Sequence, residues 1–111
     1  MADETEGPTI LEACRAALGV TDTYFDGEIS LNIAAAKVKM QLGGVRKSKA
    51  EDDSDELVRV AIIAYVKGMV GNDNPDMERY LNIFESMVTQ MKMTDEYGDY
   101  GDYGDYGGDD G

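Results

Sequence analysis

The chain has 111 residues, enough for one compact domain and too few for two, with 23 acids against 10 bases and a formal net charge of −13. Seven of the acids and none of the bases lie from Thr94 to Gly111, so the first 93 residues carry a net of −6 and the last stretch is strongly acidic. Such a balance lacks the basic field that supplies most non-specific nucleic-acid affinity, which argues against DNA binding by sequence readout.

The N-terminus, Met1-Ala2-Asp3-Glu4-Thr5-Glu6, is acidic where a signal peptide is basic and then apolar. No apolar run approaches the roughly 20 residues that span a bilayer, so a soluble protein folding in a cytoplasm is expected. The first helix is read over about Pro8 to Leu18, with Ile10, Leu11, Cys14, Ala17 and Leu18 on one side and Gly19 ending it. Cys14 is the only cysteine and there is no histidine. No intrachain disulfide can form, and a lone thiol on an apolar face with no imidazole to activate it reads as core.

After a turn rich in Thr and Asp, the second helix covers about Asp26 to Leu42, with Phe25, Ile29, Ile33, Ala36 and Met40 sharing a face. Gly43-Gly44 closes it. Val45 to Asp53 then reads as a charged loop, with a basic half (Arg46, Lys47, Lys49) and an acidic half (Glu51, Asp52, Asp53). Its simplest state is solvated and mobile. The rival is a loop whose complementary halves pair between copies. The carboxylates from Glu51 to Glu56 lack the spaced oxygen ligands and central glycine of a calcium loop, so solvated charge is the better reading.

The third helix is read from about Ser54 to Val70, with Asp53 and Glu56 forming a capping box. Leu57 to Val66 leave almost no polar face, as expected of a central helix buried on several sides. The fourth starts at Asn74-Pro75, with Asn74 as N-cap, and repeats Met77, Leu81, Phe84, Val88 and Met91 at steps of four and three. That stripe is first of all core, although its methionines would also suit docking on a partner.

From Thr94 onward the sequence is of low complexity, with Gly98-Asp99-Tyr100, Gly101-Asp102-Tyr103 and Gly104-Asp105-Tyr106 in tandem. Nothing in it is expected to bury a core, and it fits neither collagen nor a calcium repeat. Its tyrosines read as stickers that order on a partner. The expected architecture is therefore all-α: a small bundle of about four helices over residues 1–93, then a flexible acidic Gly-Asp-Tyr tail over 94–111.

No Gly-rich phosphate loop, nucleophile–base pair or metal-ligand spacing is present, so no catalytic, cofactor or metal residue is assigned. The order of elements carries a resemblance instead. A short helix, then Thr21-Asp22-Thr23-Tyr24-Phe25-Asp26 leading into an Ala-rich helix, Gly43-Gly44, a charged loop, the apolar run Leu57 to Lys67, the turn Gly71 to Pro75 and the last helix Glu78 to Met87 follow one another. This resembles the head–tail connector (adaptor) proteins of tailed bacteriophages, a group also described as DNA-packaging proteins, over about Ile10 to Met91. The Gly-Asp-Tyr tail is not part of that pattern.

The resemblance implies a structural adaptor rather than an enzyme. It implies a homo-oligomeric ring, twelvefold in the virion neck, between the portal protein and a stopper or head-completion protein, with DNA passing through its channel unread. It implies synthesis in the bacterial cytoplasm and no membrane partner. The residues expected at subunit or partner contacts are Arg46, Lys47, Lys49, Glu51, Asp52 and Asp53 of the loop, Met91 and Met93 after the last apolar turn, and Tyr97, Tyr100, Tyr103 and Tyr106 of the tail. The alternative is an acidic regulatory or DNA-mimicking protein that fills a basic groove on an enzyme.

Overall fold

The computed structural model describes residues 7–71 and 74–99. Among them the chain is helical: α1 (Ile10–Leu18), α2 (Asp26–Leu42), the single turn α3 (Lys47–Ala50), α4 (Glu56–Met69) and α5 (Met77–Lys92). The all-α expectation holds, with one short helix more than the sequence suggested.

Local chemistry sets the ends. α1 starts at Ile10 because Thr9 Oγ1 accepts from the Glu12 amide at 3.1 Å while Glu12 Oε1 accepts from the Thr9 amide at 2.9 Å, a reciprocal cap that starts the helix after Pro8. Gly19, at φ 75°, ends it: its amide donates to Ala16 and the Val20 amide to Arg15.

α4 is capped by Asp55, whose Oδ1 accepts from the Val58 amide at 3.1 Å. The expected Asp53–Glu56 box does not form, because Asp53 is 2.6 Å from Lys37 of α2. Asn74 is likewise no helix cap. Its Oδ1 accepts from the Asp76 amide and its Nδ2 donates to the Lys67 carbonyl at 2.7 Å, so it ties the inter-helix turn to the end of α4, and α5 begins at Met77.

α4 is the central helix, packed against α1, α2 and α5. Val58, Ala61, Ile62 and Val66 are fully buried, and Tyr65 meets Phe84 of α5 with ring centroids 5.0 Å apart. From α2 come Ile29, Ile33, Ala36 and Met40, and from α1 Ile10 and Cys14. Glycines let helices approach closely: a Cβ on Gly68 would lie 2.9 Å from Leu81 Cδ2, and one on Gly43 would lie 2.6 Å from Val88 Cγ1.

Two expectations need correction here. The Val45–Asp53 stretch is not simply a solvated loop, because Val45, just before the turn α3, and Ala50, its last residue, are buried in the core and hold its charges at the surface. Nor is everything from Thr94 onward outside the fold. Thr94 to Asp99 turn back from α5 across the α2–α3 junction, and Tyr97 packs on the core. The four residues Thr94 to Tyr97 contain no glycine, unlike the repeats that follow, so ordering them loses less chain entropy.

Candidate interaction surfaces

The densest polar cluster joins the C-terminal segment to the α2–α4 loop. An isolated antiparallel bridge pairs Val45 with Gly98, the Arg46 amide donates to the Tyr97 carbonyl at 2.8 Å, and the Asp99 amide donates to the Gly44 carbonyl at 2.9 Å. The Arg46 guanidinium donates to the Gly98 carbonyl at 3.0 Å and the Asp95 carbonyl at 2.8 Å. Tyr97 carries the Lys49 ammonium over its ring, 5.0 Å from the centroid, and donates its hydroxyl to Asp55 at 2.9 Å. Burial, followed by the hydrogen bond to Asp55, pushes the Tyr97 hydroxyl above its ordinary pKa. Lys49 also lies 3.2 Å from Glu96 and 3.6 Å from Asp55, and the bond to Glu96 is the main cause of its raised pKa.

The residues assigned from sequence fall into four groups. Arg46, Lys49, Asp52, Asp53 and Tyr97 are engaged within the chain: Asp52 accepts from the Ser54 hydroxyl at 2.6 Å, which with the Ser54 amide holds its carboxyl below the usual range, and Asp53 pairs with Lys37. Met91 is 2% exposed and belongs to the core. Lys47, Glu51 and Met93 are exposed at the end of the bundle where α3 and the segment after α5 meet. Tyr100, Tyr103 and Tyr106 lie outside the described residues. The idea that the loop's basic and acidic halves pair between copies therefore loses most of its charges to partners in the same chain.

Asp55 was missed by the sequence reading. It sits one residue before Glu56 in a run of four cap-competent side chains, Asp52-Asp53-Ser54-Asp55, and nothing local singles it out. A second omission was legible. α2 has apolar residues on both sides, because Leu31, Val38 and Leu42 are exposed opposite its buried face. Leu57 and Val60 of α4 are half-exposed as well.

The cluster offers no reaction. Its cation, carboxylate and phenol already satisfy one another, and Cys14, buried in the core, has a thiol pushed up to about 11 by burial, opposed by the Arg59 charge. Among the described residues no group of three or more Cys, Asp or Glu could hold a metal ion, and no helix is long and apolar enough to cross a membrane.

A model of the phage connector protein family matches residues 10–98. The chain belongs to that family. No curated protein and no solved structure matches the chain. As a phage connector it is a structural component of the virion that joins head and tail. The match runs past α5 and through Gly98, so it takes in the Tyr97 latch and stops where the Gly-Asp-Tyr repeats begin.

Proposed function

We propose that this connector is the adaptor of the phage neck. Copies form a ring, twelvefold by resemblance, between the portal and the stopper or head-completion protein, and DNA passes through the channel without being read. The family match across the whole bundle carries this reading. The charge is in keeping with it, since a channel wall of net negative sign repels the duplex and lets it slide. Assembly in the host cytoplasm follows from that role.

The latch gives the tail a fixed point of departure. Arg46 and Gly44 hold Tyr97 to Asp99 beside α3, so the described chain ends, at Asp99, at the end of the bundle where Lys47, Glu51 and Met93 are exposed. That end is the one assigned to the portal, with Tyr100, Tyr103 and Tyr106 as apolar anchors on an acidic chain.

Mixing the purified protein with its portal and recording native mass spectra tests this directly. The expected result is a stoichiometric ring on the portal that resists moderate salt. Deleting residues 100–111 is expected to weaken the complex while leaving the bundle's unfolding midpoint unchanged. A protein that ignores the portal and instead binds a basic enzyme surface in a salt-sensitive way would replace the adaptor with the acidic regulator.

A further inference from the structure

α2 is apolar on two opposite sides. Ile29, Ile33, Ala36 and Met40 face the core, while Leu31, Val38 and Leu42 are 71%, 54% and 81% exposed. At about 100° per residue these three fall within about 40° of one another and about 180° from the buried set. Ala35, partly buried against the core, borders the stripe, and Tyr24, 82% exposed, stands just before the helix. Leu31, Ala35, Val38 and Leu42 follow one another at steps of four, three and four, the spacing of a two-helix seam.

The stripe is complementary to itself when reversed. Two copies laid antiparallel about Ile33 set Tyr24 beside Leu42 of the other copy and Leu31 beside its Ala35, large against small. Glu28 and Lys39 lie on one flank of the stripe, eleven residues apart, and form no ion pair among the described residues. The same antiparallel register leaves each Glu28 one residue, about 1.5 Å along the axis, from level with the other copy's Lys39, within reach of the long lysine side chain and twice by symmetry. A parallel arrangement sets like charges together.

We propose that the outer face of α2 is a self-association surface, through which two copies of this chain pair antiparallel about a two-fold axis. Copies in a ring around a channel all point the same way, whereas a two-fold contact reverses them, so this pair is not the ring's own contact. It is a form held before assembly: it covers the exposed leucines while the protein is free and opens when the ring is built.

Sedimentation equilibrium of the full chain over a concentration series, without any portal, tests the pairing apart from the adaptor reading. A monomer–dimer equilibrium is expected. Leu31→Glu should weaken it at least about a hundredfold, because symmetry removes two apolar contacts and buries two charges. It should leave the circular dichroism and the thermal midpoint unchanged, since Leu31 points away from the core. Lys39→Glu should weaken dimerisation about tenfold, and adding Glu28→Lys should restore it. A monomer at every concentration, association that runs past the dimer, or a dimer indifferent to these changes overturns the proposal. A portal-bound ring formed equally well by the Leu31→Glu protein would leave the adaptor reading standing whatever the outcome.

Discussion

The Tyr97 hydroxyl donates to the Asp55 carboxylate, 2.9 Å from Oδ2 and 3.1 Å from Oδ1, and Oδ1 also accepts from the Val58 amide. One carboxylate thus caps the central helix and anchors the segment that follows the last one. The start of α4 and the end of the family-matched region are fixed by the same group, and Lys49 balances its charge from 3.6 Å.

Replacing Tyr97 by Phe keeps the ring in place and removes only this hydrogen bond. The expected loss is about 1.5 kcal/mol by urea denaturation, the low end for a bond to a charged group, because the site is only partly buried. Proteolytic cleavage between Thr94 and Asp99 should accelerate. Asp55→Ala should lose about 1 kcal/mol more, since the α4 cap goes with the latch, whereas Asp55→Asn retains a competent cap. Equal stability of Tyr97→Phe and wild type would show that the latch is idle.

The two ends of the pH–stability curve should report different contacts. Arg15 of α1 holds Asp26 at the start of α2 through two bonds of 2.8 Å, and these hold the Asp26 carboxyl below its ordinary 3.8. A folded-state pKa below the unfolded one gives stability that is complete above the unfolded value and is lost as pH falls through the folded one. Stability should therefore decline below about pH 4, with Asp52 contributing in the same direction, and Asp26→Asn should make that acid limb shallower. Tyr97 has the opposite sign. Its pKa is raised above 10.0, so its contribution is complete below pH 10 and is lost as pH climbs through the raised value. Chemical denaturation across pH should show a shallower alkaline limb in Tyr97→Phe than in the wild type, with Cys14 and Lys49, whose pKa values are also raised, supplying the remainder.

The sequence was most legible where a single helix decides its own fate. The ends of α2 at Asp26 and Leu42, the terminating Gly19 and the central burial of α4 all follow from periodicity and glycine. It was least legible where a partner far along the chain chooses among equivalent side chains. Asp53, Ser54 and Asp55 could each have capped α4, and Lys37, 16 residues before Asp53, removed one of them. Tyr97 looked like the first of four equivalent tail tyrosines because its partner lies 42 positions away. Among the assigned contact residues, Met91 shows the limit of a methionine stripe: the sequence marks it as apolar, but only packing shows that the bundle itself consumes it.

Cys14 should be silent in the native protein. With its thiol pushed up to about 11 by burial, less than about one part in a thousand is thiolate at pH 7, and the sulfur is also fully covered. Thiol-reactive dyes should label it only as fast as the bundle opens, and at the ordinary rate in urea. Fast stoichiometric labelling of the folded protein would contradict the placement of α1 on α4.

Gly43 and Gly27, both at α2, are expected to respond to alanine with opposite signs. A Cβ at Gly43 would lie 2.6 Å from Val88 Cγ1, and Val88 is β-branched, 7% exposed and unable to turn aside. Because Gly43 has an ordinary φ of −83°, the whole cost of Gly43→Ala is steric, about 1–3 kcal/mol. Val88→Ala opens that space, so the double variant should lose less than the two single losses combined. At Gly27 a Cβ meets nothing within 4 Å, and Gly27→Ala should gain about 0.5–1 kcal/mol from the unfolded chain's lost freedom. Urea midpoints of the four proteins separate close packing from helix propensity, since propensity alone moves both glycines the same way. A stabilised Gly43→Ala would mean that α5 does not press on the end of α2, and the surface from which the C-terminal segment departs would have to be redrawn.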